Sequence, residues 1–129
     1  MWVEKIKVRW GDMDAVGHVN NAVYFKYMEQ ARISWLESLK MQVGGHRQGP
    51  VIVTASCAFI KPIVYPATVE VNVYGGKPGR SSFPMYHEIY LENHPEVKFA
   101  EGDATVVWID HKLGKSIPLP EELLKQLQG

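Results

Sequence analysis

The sequence has one cysteine, no long apolar run and no excess of either charge, and each shortage excludes a class of protein. Because Cys57 is the only cysteine among 129 residues, no intramolecular disulfide can form and a cysteine-based zinc site is not expected. No stretch approaches the roughly 20 apolar residues of a membrane-spanning helix. The 14 basic residues balance 14 acidic ones, which leaves no overall field to attract nucleic acid or an anionic membrane. We expect neither as a partner.

We also expect neither a targeting segment nor a linker in this sequence. Charged and apolar residues alternate from Val3 to Trp10, which is unlike the apolar segment of a signal peptide, so we expect a cytoplasmic protein. There is no repeat or low-complexity tract, and the length is near the commonest domain size, which predicts a single domain over residues 1–129. Cys57 lies in an apolar run and is expected to be an inert core residue.

The first third of the chain predicts a strand followed by a long helix. Apolar residues alternate with charged ones over residues 2–10, as in a half-buried strand. A polar loop follows at 11–20. Apolar residues then recur at steps of three and four over 24–39, which predicts a helix with an apolar stripe. Asn20 or Asn21 is a suitable N-cap, and Gly44-Gly45 is a suitable stop.

The rest of the chain predicts strands. The nearly continuous apolar run at 51–60 is typical of a strand buried on both faces. Alternating patterns at 69–73 and 83–91, and an apolar segment at 104–109, predict three more strands separated by glycine, proline and asparagine turns. Pro120 opens a short final helix.

This order predicts an α+β fold with one long central helix packed on an antiparallel sheet of about five strands. A single helix cannot cover such a sheet. The uncovered remainder, rich in Trp and Tyr, predicts that the chain associates with copies of itself.

The loop before the helix combines features that suit hydrolysis of an activated acyl group. It holds Asp12 and Asp14, which in an extended segment point the same way, and His18 follows Asp14 by four residues. It leads into a helix start, whose free N–H groups and positive dipole end can polarise a carbonyl. A carboxylate beside such donors can attack, or activate water, while the donors stabilise the developing charge. The acids, His18 and the caps Asn20 and Asn21 each also have an ordinary structural interpretation.

The ordered string of residues favours the catalytic interpretation. Its members are Asp14, Gly17, His18-Val19-Asn20-Asn21, Tyr24, Glu29 and Ala31-Arg32. This string resembles the hotdog-fold acyl-CoA thioesterases of the 4-hydroxybenzoyl-CoA thioesterase type, and the resemblance covers essentially the whole chain. Weaker similarities lie at 59–65, 79–83 and 109–120. The run His18-Val19-Asn20-Asn21 also resembles the plant acyl-carrier-protein thioesterases.

The resemblance implies a single hotdog domain that hydrolyses acyl-CoA thioesters to free acid and CoA. The family's catalytic acid falls on Asp14, as nucleophile or as general base, and its carbonyl-polarising backbone amide falls near Asn21. We include His18 in the catalytic group. The family's usual assembly implies a homodimer or homotetramer with sites between subunits. No metal is expected, and no cofactor beyond the coenzyme A of the substrate.

Asp12 is the rival for the catalytic role, and we interpret it as structural. Glu29 lies three residues before Arg32 on the predicted helix, a spacing that favours an ion pair, although some hotdog enzymes use a helix carboxylate in catalysis.

Coenzyme A carries phosphates, so its binding requires local cations and hydroxyl groups. Our candidates are Lys61, Arg80, Ser81 and Ser82, with Lys77 as a further possibility. Tyr24, Met28 and Trp35 are candidates for an acyl pocket, although a stripe at helical spacing is more often plain core.

Three other functions stay open at this point. The same residues suit an acyl-carrier-protein thioesterase. A hotdog dehydratase or hydratase could use Asp14 and His18 on an acyl thioester. A non-catalytic module that binds acyl thioesters, or an interaction domain, needs no turnover.

Overall fold

The computed structural model describes residues 1–41 and 47–128, and their order of elements matches the predicted strand, helix and run of strands. The strands are β1 (Trp2–Lys7), β2 (Gln48–Phe59), β3 (Thr68–Gly75), β4 (Ser82–Leu91), β5 (His94–Asp110) and β6 (Lys115–Ser116). The helices are α1 (Asn21–Ser38) and α2 (Glu121–Gln128), and a short 3-10 turn covers Trp10–Asp12. The predicted helix stop at Gly44-Gly45 lies outside the described residues, and α1 ends before it.

All strand pairs are antiparallel, in the order β1-β3-β4-β5-β2, with β6 beside β5. The predicted α+β class is therefore confirmed. Within the described residues the sheet has six strands where about five were predicted, because the two-residue β6 adds to the five long ones.

The core lies between α1 and the inward face of the sheet. On β3, Val69, Val71 and Val73 are completely buried, as the alternating pattern predicts. On α1, the buried residues recur at helical spacing, and they are Tyr24, Tyr27, Met28, Ala31, Arg32, Trp35 and Leu36. Helix α1 packs mainly against the β1 and β3 side of the sheet, so β2 has less cover.

Strand β2 departs from the prediction of burial on both faces. It lies at the end of the sheet and pairs only with β5. Ile52 is 43%, Val53 57% and Phe59 42% exposed. Continuous apolar character indicates a covered strand, and residues 1–41 and 47–128 do not supply the cover. Cys57 on β2 is half-buried rather than in the core, and burial raises the pKa of its thiol to about 11.

Strand β5 begins at His94, well before the predicted start at residue 104. Its first half pairs with β4, but Glu101 and Asp103 are exposed and Gly102 between them has no side chain. This half therefore shows no apolar alternation. Among the described residues, no helix is long and apolar enough to cross a membrane.

Candidate active site

The loop between the 3-10 turn and α1 is a small, internally bonded hairpin. Met13 and Val19 form an antiparallel bridge across it. The N–H of Asp14 donates to the carbonyl of His18 at 2.9 Å, and the N–H of Gly17 donates to the carbonyl of Asp14 at 3.0 Å. Gly17 has a φ of 89°, in the left-handed region that glycine adopts without strain. The backbone of Asp14 is therefore fixed on both sides.

Two further bonds attach the hairpin to its surroundings. The N–H of Val19 donates to the carbonyl of Ile63 at 2.8 Å, and the N–H of Asn20 donates to the carbonyl of Asp12 at 2.9 Å. The hairpin thus has a defined position relative to the start of α1 and to the segment after β2.

The Asp14 carboxylate is exposed at the tip of this framework. Its Oδ1 accepts the N–H of Val16 at 2.9 Å, which orients the side chain, and no described residue donates a side-chain hydrogen bond to the other oxygen. A positioned carboxylate with a free oxygen in contact with solvent can attack a carbonyl carbon or take a proton from water.

Asp12 is in a different environment, so the expectation that the two acids point the same way is wrong. Asp12 ends the 3-10 turn and is 6% exposed. Its Oδ2 accepts the Tyr27 hydroxyl at 2.7 Å and the N–H of Arg9 at 2.9 Å. Burial, and then the bond to Asp12, raises the pKa of Tyr27, so the phenol stays a donor. Asp12 therefore joins the end of the first strand segment to α1, as its structural interpretation requires.

The start of α1 offers a free backbone donor. Asn20 is the N-cap, and its Oδ1 accepts the N–H of Ala22 at 2.9 Å. The N–H of Val23 donates to the carbonyl of Asn20 at 2.9 Å. The N–H of Asn21 has no acceptor among the described residues. This N–H lies at the positive end of an 18-residue helix. Because it is free, it can donate to a developing oxyanion.

The contacts of His18 and Tyr24 within the chain are structural ones. The His18 side chain is exposed, and its carbonyl rather than its ring holds the hairpin. Tyr24 is 2% exposed, and its hydroxyl donates to the carbonyl of Lys61 at 3.4 Å and accepts the N–H of Ile63 at 3.3 Å. Its ring packs edge-on against Phe59 at 5.0 Å. Tyr24 therefore fixes the segment that carries Lys61, and substrate contact by Tyr24 stays a prediction.

The predicted phosphate-binding residues fall into two distant groups. The N–H of Lys61 donates to the carbonyl of Phe99 in the first half of β5, and the carbonyl of Ser81 accepts the N–H of Trp108 near the end of that strand. At about 3.3 Å per residue, these points on β5 are roughly 30 Å apart. Lys61 lies near the hairpin that carries Asp14, because Tyr24 and Val19 bond to the segment 61–63. Arg80, Ser81, Ser82 and the predicted Lys77 lie around the β3–β4 connection, so one chain does not bring all the candidates together.

Arg32 and His87 form a buried pair that the sequence analysis did not find. Arg32 is 8% and His87 1% exposed, and Nη1 of Arg32 lies 3.3 Å from Nε2 of His87. The predicted ion pair with Glu29 is not formed, because within the described residues no carboxylate lies within 4.0 Å of Arg32. The sequence held one sign of this pair. His87 lies between Met85 and Ile89 at the alternate positions of β4 that face the core, where a histidine needs a hydrogen-bond partner.

Burial, and then the positive charge of Arg32, lowers the pKa of His87 to about 4. The ring is therefore neutral near pH 7. Its Nδ1 lies 3.2 Å from the carbonyl of Gly102, so Nδ1–H donates there and Nε2 accepts from Arg32.

The comparisons with known proteins identify the family. A model of the thioesterase-like superfamily matches residues 8–127. The chain belongs to this superfamily. The long-chain acyl-CoA thioesterase FadM of Escherichia coli is 32% identical over 96% of this chain and 95% of its own length. The structure of PA2801 of Pseudomonas aeruginosa, a protein proposed to be a thioesterase, is 40% identical over 96% of this chain and 95% of its own, with a TM-score of 0.93.

A thioesterase-like chain of this kind is a thioester hydrolase, as the sequence analysis predicts. The structure of a 1,4-dihydroxy-2-naphthoyl-CoA thioesterase from Synechocystis is 21% identical over 98% of this chain and 95% of its own, with a TM-score of 0.89. At that identity it shows a shared fold alone. The predicted resemblance to hotdog thioesterases of the 4-hydroxybenzoyl-CoA type is confirmed.

Proposed function

We propose that this chain hydrolyses acyl-CoA thioesters to free acid and CoA with Asp14 and the first backbone amide of α1. The observation that carries the proposal is the exposed Asp14 carboxylate on a bonded hairpin that leads directly into the free N–H of Asn21. The relationship to FadM supports acyl-CoA as the substrate class. A cytoplasmic location remains a prediction.

The two groups perform complementary parts of the reaction. The thioester carbonyl oxygen accepts a hydrogen bond from the N–H of Asn21, and the helix dipole stabilises its developing negative charge. In one route the Asp14 carboxylate attacks the carbonyl carbon and expels the CoA thiolate, and water then hydrolyses the resulting mixed anhydride to the free acid. In the other route water attacks the carbonyl carbon directly, and Asp14 takes its proton and passes it to the departing sulfur. Both routes break the carbon–sulfur bond and end in free acid and CoA, with the thiolate of the first route protonated from water. His18 lies in the same hairpin and is exposed, so it remains a candidate for proton transfer near the leaving group.

The complete site comprises residues from two copies of the chain. Strand β2 is 12 residues long, pairs on one side only and exposes apolar side chains. Such a strand is a template for pairing with another chain. Pairing of two β2 strands about a two-fold axis places the Gln48 end of one against the Phe59 end of the other.

This arrangement reduces the separation between the two groups of phosphate-binding candidates. Within one chain, Lys61 lies at the Phe59 end of β2, whereas Ser82 pairs with Val107, which pairs with Val51 near the other end. Antiparallel pairing therefore brings Arg80, Ser81 and Ser82 of one copy towards Asp14 and Lys61 of the other. We propose a homodimer, or a homotetramer built from it, with sites shared between subunits.

The direct test measures CoA release from a panel of acyl-CoAs with a thiol reagent. Asp14→Asn is expected to lower kcat by about two to three orders of magnitude, while Glu37→Gln, which removes an exposed carboxylate from α1, leaves it unchanged. Full activity in a folded Asp14→Asn protein would contradict the mechanism.

The same assay separates the other activities. Faster release from an acyl-carrier-protein thioester than from the matched acyl-CoA would indicate a carrier-protein thioesterase. Consumption of crotonyl-CoA without thiol release would indicate a hydratase. Stabilisation by an acyl-CoA without any turnover would indicate a binding module.

A further inference from the structure

A small cavity lies between α1 and β2, where the helix leaves that end of the sheet uncovered. Its volume is about 120 Å³. Its apolar lining consists of Ile33 and Leu36 from α1, Pro50 and Ile52 from β2, Met85 from β4 and Val106 from β5. Glu29 and Arg32 complete the lining, and of these Glu29 is exposed and Arg32 buried. The cavity is thus a mostly apolar space with a buried cation and an exposed carboxylate in its wall.

The guanidinium of Arg32 is incompletely paired. An arginine has five N–H donors, and among the described residues the side chain of Arg32 bonds only to Nε2 of His87. The partner is neutral, and no described carboxylate lies within 4.0 Å. Among the described residues no fully buried side-chain nitrogen lacks a hydrogen-bond partner, so the other N–H groups of Arg32 are in contact with solvent, and the charge of Glu29 also acts on the guanidinium. A chain that displaced this solvent without bringing an acceptor would leave those N–H groups unpaired, whereas a chain with an acceptor at that place would not.

We propose that the cavity receives the far part of the acyl chain, and that Arg32 selects acyl groups carrying an oxygen acceptor there over plain hydrocarbon chains. The inference rests on the proposed function. A plain alkyl chain covers the guanidinium and removes its water without replacing the lost hydrogen bonds. A hydroxyl, oxo or carboxylate oxygen at the same place accepts from it. His87 acts as a positioning residue, because its neutral ring holds one N–H of Arg32 and leaves the others available.

The position of Arg32 sets the length of the preferred chain. Along α1, Asn21 and Arg32 are about 16 Å apart at 1.5 Å per residue. A short acyl group held at the N–H of Asn21 does not reach Arg32, whereas a long one does. The selectivity is therefore expected only for long members of an acyl series.

The experiment compares kcat/KM for ω-hydroxyacyl-CoAs and for plain acyl-CoAs of equal chain length, from hexanoyl to tetradecanoyl. For the long pairs the ratio is expected to be roughly ten to a hundred in favour of the hydroxylated chain, the size of one hydrogen bond to a charged group. The hexanoyl pair is expected to show a ratio near one. Equal rates for the long pairs in the unmodified protein would overturn the proposal without any variant.

The variant Arg32→Met then tests whether Arg32 causes the preference for the hydroxylated chain. Methionine keeps an unbranched side chain without charge, so the ratio should fall to about one, partly through faster hydrolysis of the plain chain, which no longer covers an unpaired cation. Lys26→Met, which removes an exposed cation from the same helix, should retain the ratio. An unchanged ratio in a folded Arg32→Met protein would also overturn the proposal. Failure of the proposed function is distinct, because the unmodified protein then releases no thiol from any member of the series.

Discussion

The hairpin before α1 and the strand after α1 differ in how far one chain completes them. The turn of the hairpin is closed by hydrogen bonds between its own backbone groups. Two more hydrogen bonds attach it to Asp12 and Ile63. Strand β2 pairs along one side and leaves Ile52, Val53 and Phe59 more than two-fifths exposed. The proposed catalytic groups are thus positioned within a single chain, whereas the described residues leave β2 without a neighbour on one side. Under the proposed function, the reaction therefore depends on the fold of one chain, and the substrate-binding surface depends on association of two.

The largest expected effect concerns the self-contained region. Asn21 is the first residue of α1, a position where proline is tolerated because its missing N–H is not needed by the helix. The N-cap Asn20 has φ −61° and ψ 139°, which suits a residue before proline. Asn21→Pro therefore removes the proposed oxyanion donor and keeps the helix, and we expect kcat to fall by about two to three orders of magnitude.

Asn21→Ala is the control, because alanine retains the backbone N–H. Circular dichroism and thermal unfolding establish that both variants fold. Comparable turnover in Asn21→Pro and Asn21→Ala would mean that another donor polarises the carbonyl.

The next effect is a pH dependence from the buried pair beside the acyl cavity. His87 has a folded-state pKa of about 4, below its ordinary value of 6.5, so between these values the unfolded chain binds more protons. The contribution to stability is complete above about pH 6.5 and is lost as the pH falls towards 4, by roughly 3 kcal/mol. The groups facing His87 are Arg32 from α1, and the Gly102 carbonyl and Asp103 from β5.

Urea unfolding across this pH window measures the effect. His87→Gln keeps a polar side chain that does not titrate, so its stability should fall less on acidification than that of the unmodified protein. Parallel curves for the two proteins would exclude His87 as the source.

A smaller effect separates the two acids of the hairpin region. Asp12→Ala leaves the buried hydroxyl of Tyr27 without its acceptor, and we expect a loss of about 2 kcal/mol in the free energy of unfolding. Asp14→Asn changes an exposed side chain and should alter stability by no more than about 0.5 kcal/mol. Denaturant titration of both variants tests this contrast. A larger loss for Asp14→Asn would show that the structural and catalytic assignments are exchanged.

The sequence predicted those helices and strands in which buried residues recur at a regular spacing. Strand β3 follows from the alternation of Val69, Val71 and Val73, and α1 follows from its apolar stripe. The first half of β5 could not be predicted in this way, because Glu101, Gly102 and Asp103 interrupt the apolar pattern while the strand is held by its pairing with β4.

The parts of the candidate site that could be predicted are those formed by residues close together in the sequence. The hairpin with Asp14 is a local feature, and the sequence predicted a polar loop before the helix at this place; the catalytic role of Asp14 stays a prediction. The inward orientation of Asp12 depends on Tyr27, and the pairing of Arg32 depends on His87, 55 positions away. Spacing along one helix instead predicted a partner for Arg32 that it does not have. The apolar run of β2 predicted burial on both faces, whereas Ile52, Val53 and Phe59 are exposed among the described residues, because sequence pattern alone does not tell which strand lies at the end of a sheet.

The smallest expected effect concerns the incomplete region. A charged side chain on an exposed strand edge opposes pairing with another chain, so Val53→Lys on β2 should weaken self-association about tenfold or more, equivalent to about 1.4 kcal/mol. The matched control is Val3→Lys on β1, at the opposite end of the sheet, where the side chain is 44% exposed. Sedimentation at a series of concentrations measures association, and thiol release at the same concentrations measures activity. For Val53→Lys the two should fall together, because in the proposed dimer the partner contributes Arg80, Ser81 and Ser82 to the site. A monomeric Val53→Lys protein with full activity would show that one chain is sufficient, and that the bare strand serves a purpose other than completing the site.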